Sequence, residues 1–118
     1  MYSTDIDSTG LLLNVNRDVG NTGRFLIHVR RFDSRGRATK TGVAFNPRVG
    51  RQILDQEDGT AQVDWDRNLE VLIGQNRVHM LRTFNGDSRG IVVTDDAYRR
   101  IVAVLRELFS ERGVLHGR

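Results

Sequence analysis

Hydrophobic and polar positions alternate along three segments of the first half of the chain, which is typical of half-buried strands. The predicted strands span residues 10–18, 24–32 and 39–45. Glycine-containing segments separate them and predict turns. Asn46 and Pro47 follow the third strand and predict a helix start, because asparagine caps helices and proline fits the first helical position. A short helix is therefore predicted over residues 48–56.

The second half follows the same plan, with further strands and a longer amphipathic helix. The strands are predicted over residues 61–66, 69–74, 77–84 and 91–94. Asp95 and Asp96 predict the start of the helix, where the helix dipole favours negative charge. Apolar residues then recur at helical spacing up to Gly113, the predicted C-terminal cap. These apolar residues are Tyr98, Ile101, Val102, Leu105, Leu108 and Phe109.

The two halves match each other in order and in sequence, which predicts an internal repeat. HVRRF aligns with MLRTF, so that Arg30 lies over Arg82 and Phe32 over Phe84, and GVAFN aligns with GIVVT. We therefore expect an α+β fold of two ββββα-type repeats, with antiparallel sheets that are each packed by a helix and related by a pseudo-twofold axis. The repeats are predicted over residues 10–56 and 61–113 of a single domain, 1–118. The alternative is that any two hairpins followed by a helix look alike.

The strand at 24–32 has two unlike faces, because alternate side chains of a strand share a face. One face is apolar and consists of Phe25, Ile27 and Val29. The other carries Arg24, Leu26, His28, Arg30 and Phe32, and the next turn adds Arg35, Arg37 and Lys40. Such a face can hold phosphates while a base stacks on the ring. The alternative is a solvated outer face with Phe32 tucked under a loop.

Composition narrows the class of protein. The chain has 118 residues, of which 38% are hydrophobic and 28% charged, as in a soluble globular domain. It has no cysteine, and we expect a cytoplasmic protein, with nucleoid association open, because no signal peptide or long apolar stretch is visible. The net charge is +3 and the pI about 10.2. Arginine supplies 17 of the 18 basic residues, and its planar fork suits phosphate.

Two segments carry a resemblance to a known superfamily. GRFLIHV, within NRDVGNTGRFLIHVRR at 16–31, resembles the main strand of the purine-rich-element-binding (PUR) repeat proteins. GVAFNP, which follows a basic turn and leads into a helix, resembles the transcriptional coactivator positive cofactor four. Both belong, with the plant Whirly proteins, to one superfamily of single-stranded nucleic-acid binders. The resemblance covers about residues 10–56 and, more loosely, 61–112.

The resemblance implies that two units pair through their helices and that single-stranded DNA or RNA lies across the outer faces of the sheets. The sequence departs from the cofactor-four pattern at the start of its first helix. Val49 and Gly50 stand there in place of an aromatic residue.

We therefore expect sequence-tolerant binding of single-stranded nucleic acid, DNA by preference, in replication, recombination or transcription. The predicted binding residues are Arg24, His28, Arg30, Phe32, Arg35, Arg37, Lys40, Arg82 and Arg89. In the second half the register is open, because Arg82 and Phe84 share a face with Val78 and Met80, which makes Phe84 a core candidate.

Other classes of function are weaker. One alternative is a protein-interaction or dimerisation module that uses the helix at 95–112, and a homodimer through this helix remains possible in either case. The chain contains no phosphate-binding loop and nothing that resembles a catalytic site, so we expect neither an enzyme nor a cofactor. His28 and His79 lie in matching strands, but no carboxylate or cysteine spacing supports a metal site.

Overall fold

The computed structural model of the chain describes residues 2–17, 24–55, 62–65, 69–84 and 87–118, and gives the backbone alone for 62–65, 83–84 and 87–88. Each half is a four-stranded antiparallel sheet followed by a helix, which confirms the predicted α+β fold of two ββββα units. The first half consists of β1 (Tyr2–Asp5), β2 (Leu11–Arg17), β3 (Phe25–Phe32), β4 (Ala38–Phe45) and α1 (Pro47–Asp55). The second consists of β5 (Gln62–Trp65), β6 (Leu69–Ile73), β7 (Arg77–Phe84), β8 (Asp87–Thr94) and α2 (Asp95–Phe109).

Two strands differ from the sequence prediction. The strand β1 was not predicted, because its polar residues lack a hydrophobic stripe, yet it pairs antiparallel with β2. The strand β8 begins at Asp87 instead of residue 91, because the segment that reads as a turn by composition continues the pairing with β7.

The second helix also ends earlier than predicted. Its C-cap is Ser110, so the prediction of Gly113 as the cap is wrong. Gly113 lies in the turn that follows, where an added Cβ would lie 2.0 Å from the Leu108 carbonyl oxygen. This turn returns Leu115 to the core, where its N–H donates to the same oxygen at 2.8 Å and its side chain is fully buried.

Both helices begin with the same capping contact. The Asn46 side-chain oxygen accepts a hydrogen bond from the Val49 N–H at 2.9 Å, which confirms the predicted cap of α1. The Thr94 hydroxyl accepts one from the Ala97 N–H at 3.1 Å, and two aspartates follow in the first turn of α2. The two strand-to-helix junctions are therefore equivalent.

The core is one apolar cluster formed by the inner faces of both sheets and by the two helices. The helix α1 packs against both β3 and α2, and Gly50 makes this close approach possible. An added Cβ at Gly50 would lie 3.1 Å from Ile27 and 3.2 Å from the Phe109 ring. The Phe109 ring of α2 therefore leaves no room for a large side chain at Gly50, where an aromatic residue was expected near the start of α1.

The strand registers confirm that the halves are equivalent and correct their alignment. Gly42 of β4 pairs with Arg30, and Gly90 of β8 pairs with Leu81. Both glycines lie four residues before a helix N-cap, so Arg30 corresponds to Leu81. The predicted match of Arg30 with Arg82 is therefore wrong by one residue, and the match of Phe32 with Phe84 fails with it.

The corrected alignment matches Arg31 with Arg82, and these two arginines make equivalent contacts between the halves. The Arg31 guanidinium donates to the Val92 carbonyl of β8 at 3.2 Å. The Arg82 guanidinium donates to the Ala44 carbonyl of β4. Ala44 and Val92 each lie two residues after the matched glycines, so the contacts are related by a pseudo-twofold axis. The two repeats therefore pair within one chain.

A short polar network holds Arg31 in place. Its guanidinium also donates to the Thr9 hydroxyl at 2.8 Å, and that hydroxyl donates to the Asp7 carboxylate at 2.6 Å. Partial burial alone would raise the pKa of Asp7, but the hydrogen bonds from Thr9 and Leu11 and the nearby Arg31 charge lower it overall.

Among the residues that the structure describes, no helix is both long and apolar enough to cross a membrane.

The buried stripe of α2 gives a direct test of the core. Leu105 is fully buried in the cluster that joins the halves. We expect Leu105→Ala to lower the free energy of unfolding by about 2–5 kcal/mol, because it leaves a cavity in a packed site. Arg106→Ala, at the exposed neighbouring position, should change it by less than about 0.5 kcal/mol. Urea unfolding measures both, and a loss below about 1 kcal/mol for Leu105→Ala would place α2 at the periphery.

Candidate nucleic-acid interface

The alternation predicted for β3 is confirmed by burial. Phe25, Ile27 and Val29 are buried, with exposed fractions of 8%, 0% and 0%. The side chains of His28 and Arg30 are partly exposed on the outer face of the sheet. The residues that were predicted to bind along this strand therefore share the face that is turned away from the helices.

An irregularity lies beside Phe32 but does not reverse its face. Between Arg30 and Phe32 the pairing on β4 moves from Gly42 to Ala38, so the extra residues belong to β4. On its other side β3 pairs without interruption with β2, and the Phe32 N–H donates to the Gly10 carbonyl at 2.7 Å. Phe32 thus stays on the outer face with Arg30.

Phe32 borders a groove of about 530 Å³ on this outer face. Ser3, Asn14 and His28 form one cross-strand row of the face. A second row consists of Asp5, Leu12 and Arg30. The groove is lined by Ser3, Asp5, Gly10, Leu12, Asn14, Phe32, Asp33, Ser34 and Gly36. A ring and several hydrogen-bonding groups therefore border one depression, while His28 and Arg30 continue its rows on β3.

Exposed cations lie at both ends of this face. Arg24 precedes β3 at one end, and Arg35, Arg37 and Lys40 lie in or beside the turn at the other, all exposed. The Asp33 carboxylate shapes this turn by accepting hydrogen bonds from the Arg35 and Arg37 N–H groups, each at 2.9 Å. Its ion pair with the Arg37 side chain, at 3.4 Å, is exposed and therefore weak, so the guanidinium can exchange it for a phosphate.

Arg30 and His28 lie between these ends and interact electrostatically. The Arg30 guanidinium donates to the Thr39 carbonyl at 3.0 Å, which fixes it over the irregular part of β4. Burial lowers the pKa of His28, and the positive charge of Arg30 lowers it further. His28 is therefore neutral near neutral pH, and its ring offers a hydrogen-bond donor and an acceptor beside a fixed cation.

The structure does not bring Arg82 and Arg89 to an outer face. They pair with each other across β7 and β8. Each lies two residues from a buried residue of its own strand, Met80 or Ile91, and therefore belongs to the inner side of the sheet. Arg82 contacts the first sheet, as described above, whereas Arg89 is exposed. The side chain of Phe84 lies outside the described residues.

The outer face of the second sheet differs in chemistry from that of the first. It carries Glu70, Leu72, His79, Leu81 and Val92. Leu81 stands where the first sheet has Arg30, and Val92 is 40% exposed. His79 corresponds to His28, but the two lie on outer faces of different sheets. Within the part of the chain that the structure describes, no group of three or more metal-ligating side chains is gathered.

Eight of the nine groove residues were not predicted as part of the site, and four of these eight lie on β1 and β2. Ser3 and Asp5 were missed because β1 was not predicted. Leu12 and Asn14 could have been found, since they alternate with the buried Leu11 and Leu13 along β2.

Comparison with known proteins adds no assignment: no family model, no curated protein and no solved structure matches the chain. The resemblance to the single-stranded nucleic-acid binders therefore stays a prediction from the motifs.

The lowered pKa of His28 predicts a pH dependence of stability. Below its ordinary pKa of 6.5 the unfolded chain binds the proton more readily than the folded one, so stability falls as the pH drops from about 7 toward 5. His28→Asn should flatten this decline, as measured by urea unfolding at several pH values. Asp7 acts in a separate window, because its lowered pKa adds stability above 3.8 that is lost at lower pH. An equal decline in His28→Asn and the unsubstituted chain would contradict the assignment.

Proposed function

We propose that this chain binds single-stranded nucleic acid, preferentially DNA and with little sequence preference, across the outer face of its first sheet. The observation that carries this proposal is the groove bordered by Phe32, in the same face as His28 and Arg30. A base can stack on the Phe32 ring while arginines on either side contact phosphates. The motif resemblance to single-stranded nucleic-acid binders supports the same reading.

The shape of the face favours a single strand over a duplex. Its ring borders an open depression in a sheet, and a base reaches such a ring only when it is unstacked from a helix. Stacking on an aromatic ring also tolerates any base, which suits a sequence-tolerant binder. Such a protein acts on exposed strands in replication, recombination or transcription, and we place it in the cytoplasm, with nucleoid association open.

The binding face belongs to the first repeat in this proposal. The cation Arg30 of the first sheet is replaced by the apolar Leu81 at the matched position of the second sheet. Arg82 and Arg89 would then contact phosphates from the boundary between the two sheets, where Arg82 reaches β4. We propose a binding protein without catalytic activity or cofactor.

The second candidate function is protein interaction, and the partly exposed apolar side chains on the outer face of the second sheet favour it. Leu72 and Leu81 are partly exposed there, and Val92 is 40% exposed. The helix α2 offers less to a partner, since its buried residues pack inside this chain. A homodimer through α2 would have to use its exposed polar side.

Two phenylalanines on opposite faces of β3 separate binding from stability. Phe32→Ala should weaken single-strand affinity by about 1–3 kcal/mol and leave the Tm nearly unchanged, because the ring is a stacking platform. Phe25→Ala should lower stability by about 3–5 kcal/mol, because Phe25 belongs to the core. Fluorescence anisotropy and thermal melting measure the two effects.

The same titration should be run with single-stranded and duplex oligonucleotides of equal length. We expect tighter binding of the single strand. Equal affinity for both, or an unfolded Phe32→Ala variant together with a stable Phe25→Ala variant, would contradict the proposed face.

A further inference from the structure

Three arginines converge on two aromatic rings at the end of the first sheet that lies beyond Arg24. The Arg17 guanidinium carbon lies 5.3 Å from the centroid of the Phe25 ring, and that of Arg118 lies 4.8 Å from the same centroid. The Arg51 guanidinium carbon lies 4.8 Å from the centroid of the Phe109 ring. All three arginines are exposed residues.

The cluster of Arg17, Arg51 and Arg118 is built by distant parts of the chain. Arg17 ends β2, Arg51 lies on α1, and Arg118 follows the turn after α2. The Arg51 side chain donates to the Arg118 backbone carbonyl, which ties these two elements together. The rings below are fixed, since Phe25 is buried and Phe109 packs against the core. The positions of the cations are therefore set by the fold.

Among the residues that the structure describes, no Asp or Glu side chain forms an ion pair with this cluster. The ion pairs found there join Arg37 to Asp33 and Arg99 to Asp96, and none involves the cluster. Ring faces attract cations, but they do not cancel the repulsion among three like charges. A guanidinium that lies over a ring keeps N–H edges free for bidentate contact with an anion.

We propose that Arg17, Arg51 and Arg118 form a second phosphate-binding surface for the single strand, an inference that rests on the proposed function. The cluster adjoins the proposed binding face, so its ligand is the same single strand. Arg17 pairs with Phe25 across β2 and β3, and Arg24 is the next residue on the outer side. A strand that follows the outer face from Phe32 to Arg24 thus reaches the end of the sheet at which Arg17 lies. The bound strand is therefore longer than the groove alone would require.

The test compares a cluster variant with a variant of equal charge. The cluster variant combines Arg17→Gln, Arg51→Gln and Arg118→Gln. The control combines Arg77→Gln, Arg99→Gln and Arg100→Gln, three exposed arginines at or near the start of α2. Anisotropy measures affinity for oligothymidylates of about 4 to about 16 nucleotides at several salt concentrations.

We expect the cluster variant to bind the short oligonucleotides like the unsubstituted chain and the long ones more weakly. For long oligonucleotides the slope of log affinity against log salt should decrease in magnitude by about 2, since each lost phosphate contact contributes about 0.7. The control variant should show the same dependence of affinity on oligonucleotide length as the unsubstituted chain. Its salt slope should change equally for short and long oligonucleotides, because it loses net charge but no phosphate contact. Arg118→Gln alone, which leaves both other cations in place, should reduce the slope by about 0.7 and serves if the triple variant does not fold.

Failure of this inference is distinguishable from failure of the proposed function. If the unsubstituted chain does not bind single strands, the proposed function is wrong and the inference falls with it. If it binds, and the cluster variant matches the control at every length, the cluster is structural and the outer face alone holds the strand.

Discussion

The exchange of one arginine between the two sheets is the contact on which the arrangement of the halves depends. Arg31 and Arg82 each reach across the seam to a backbone carbonyl of the other sheet, at Val92 and Ala44. A charged donor satisfies a carbonyl at a strand edge, where an unpaired group would be unfavourable if buried. The two equivalent contacts join β4 and β8, while the apolar cluster beneath them packs the helices between the sheets. The two helices pack in the core between the inner faces, so neither helix covers an outer face.

The same backbone therefore presents two outer faces of different chemistry. Arg30 and Leu81 occupy matched positions, and so do His28 and His79. The first face combines cations, a neutral imidazole and an aromatic ring beside a groove that Asp5 and Asp33 also line, whereas the second carries the apolar Leu72, Leu81 and Val92. A repeat can keep its core and change its outer positions freely, because alternate residues of a strand face opposite sides. The proposed binding by one half and the apolar face of the other follow from this freedom.

Sequence patterns predicted the elements whose stability is local or whose burial is periodic. The cap at Asn46, the stripe of α2 and the faces of β3 are such features. The strand β1 exists because β2 offers it hydrogen-bonding partners, which no pattern within four polar residues reveals. The predicted alignment of Arg30 with Arg82 was wrong by one residue, because the sequences of β3 and β7 can be matched in two registers. The pairing of Gly90 with Leu81 decides between the two. The groove was missed in part for the same reason, since Ser3 and Asp5 of its wall come from β1.

The proposed location of the single strand is tested most directly by amide NMR during a titration with a single-stranded oligonucleotide. We expect the largest shift changes at Leu26, His28, Arg30 and Phe32, while Leu72, His79 and Leu81 on the second outer face change little. Changes concentrated on the second sheet, with β3 unaffected, would contradict the proposed location.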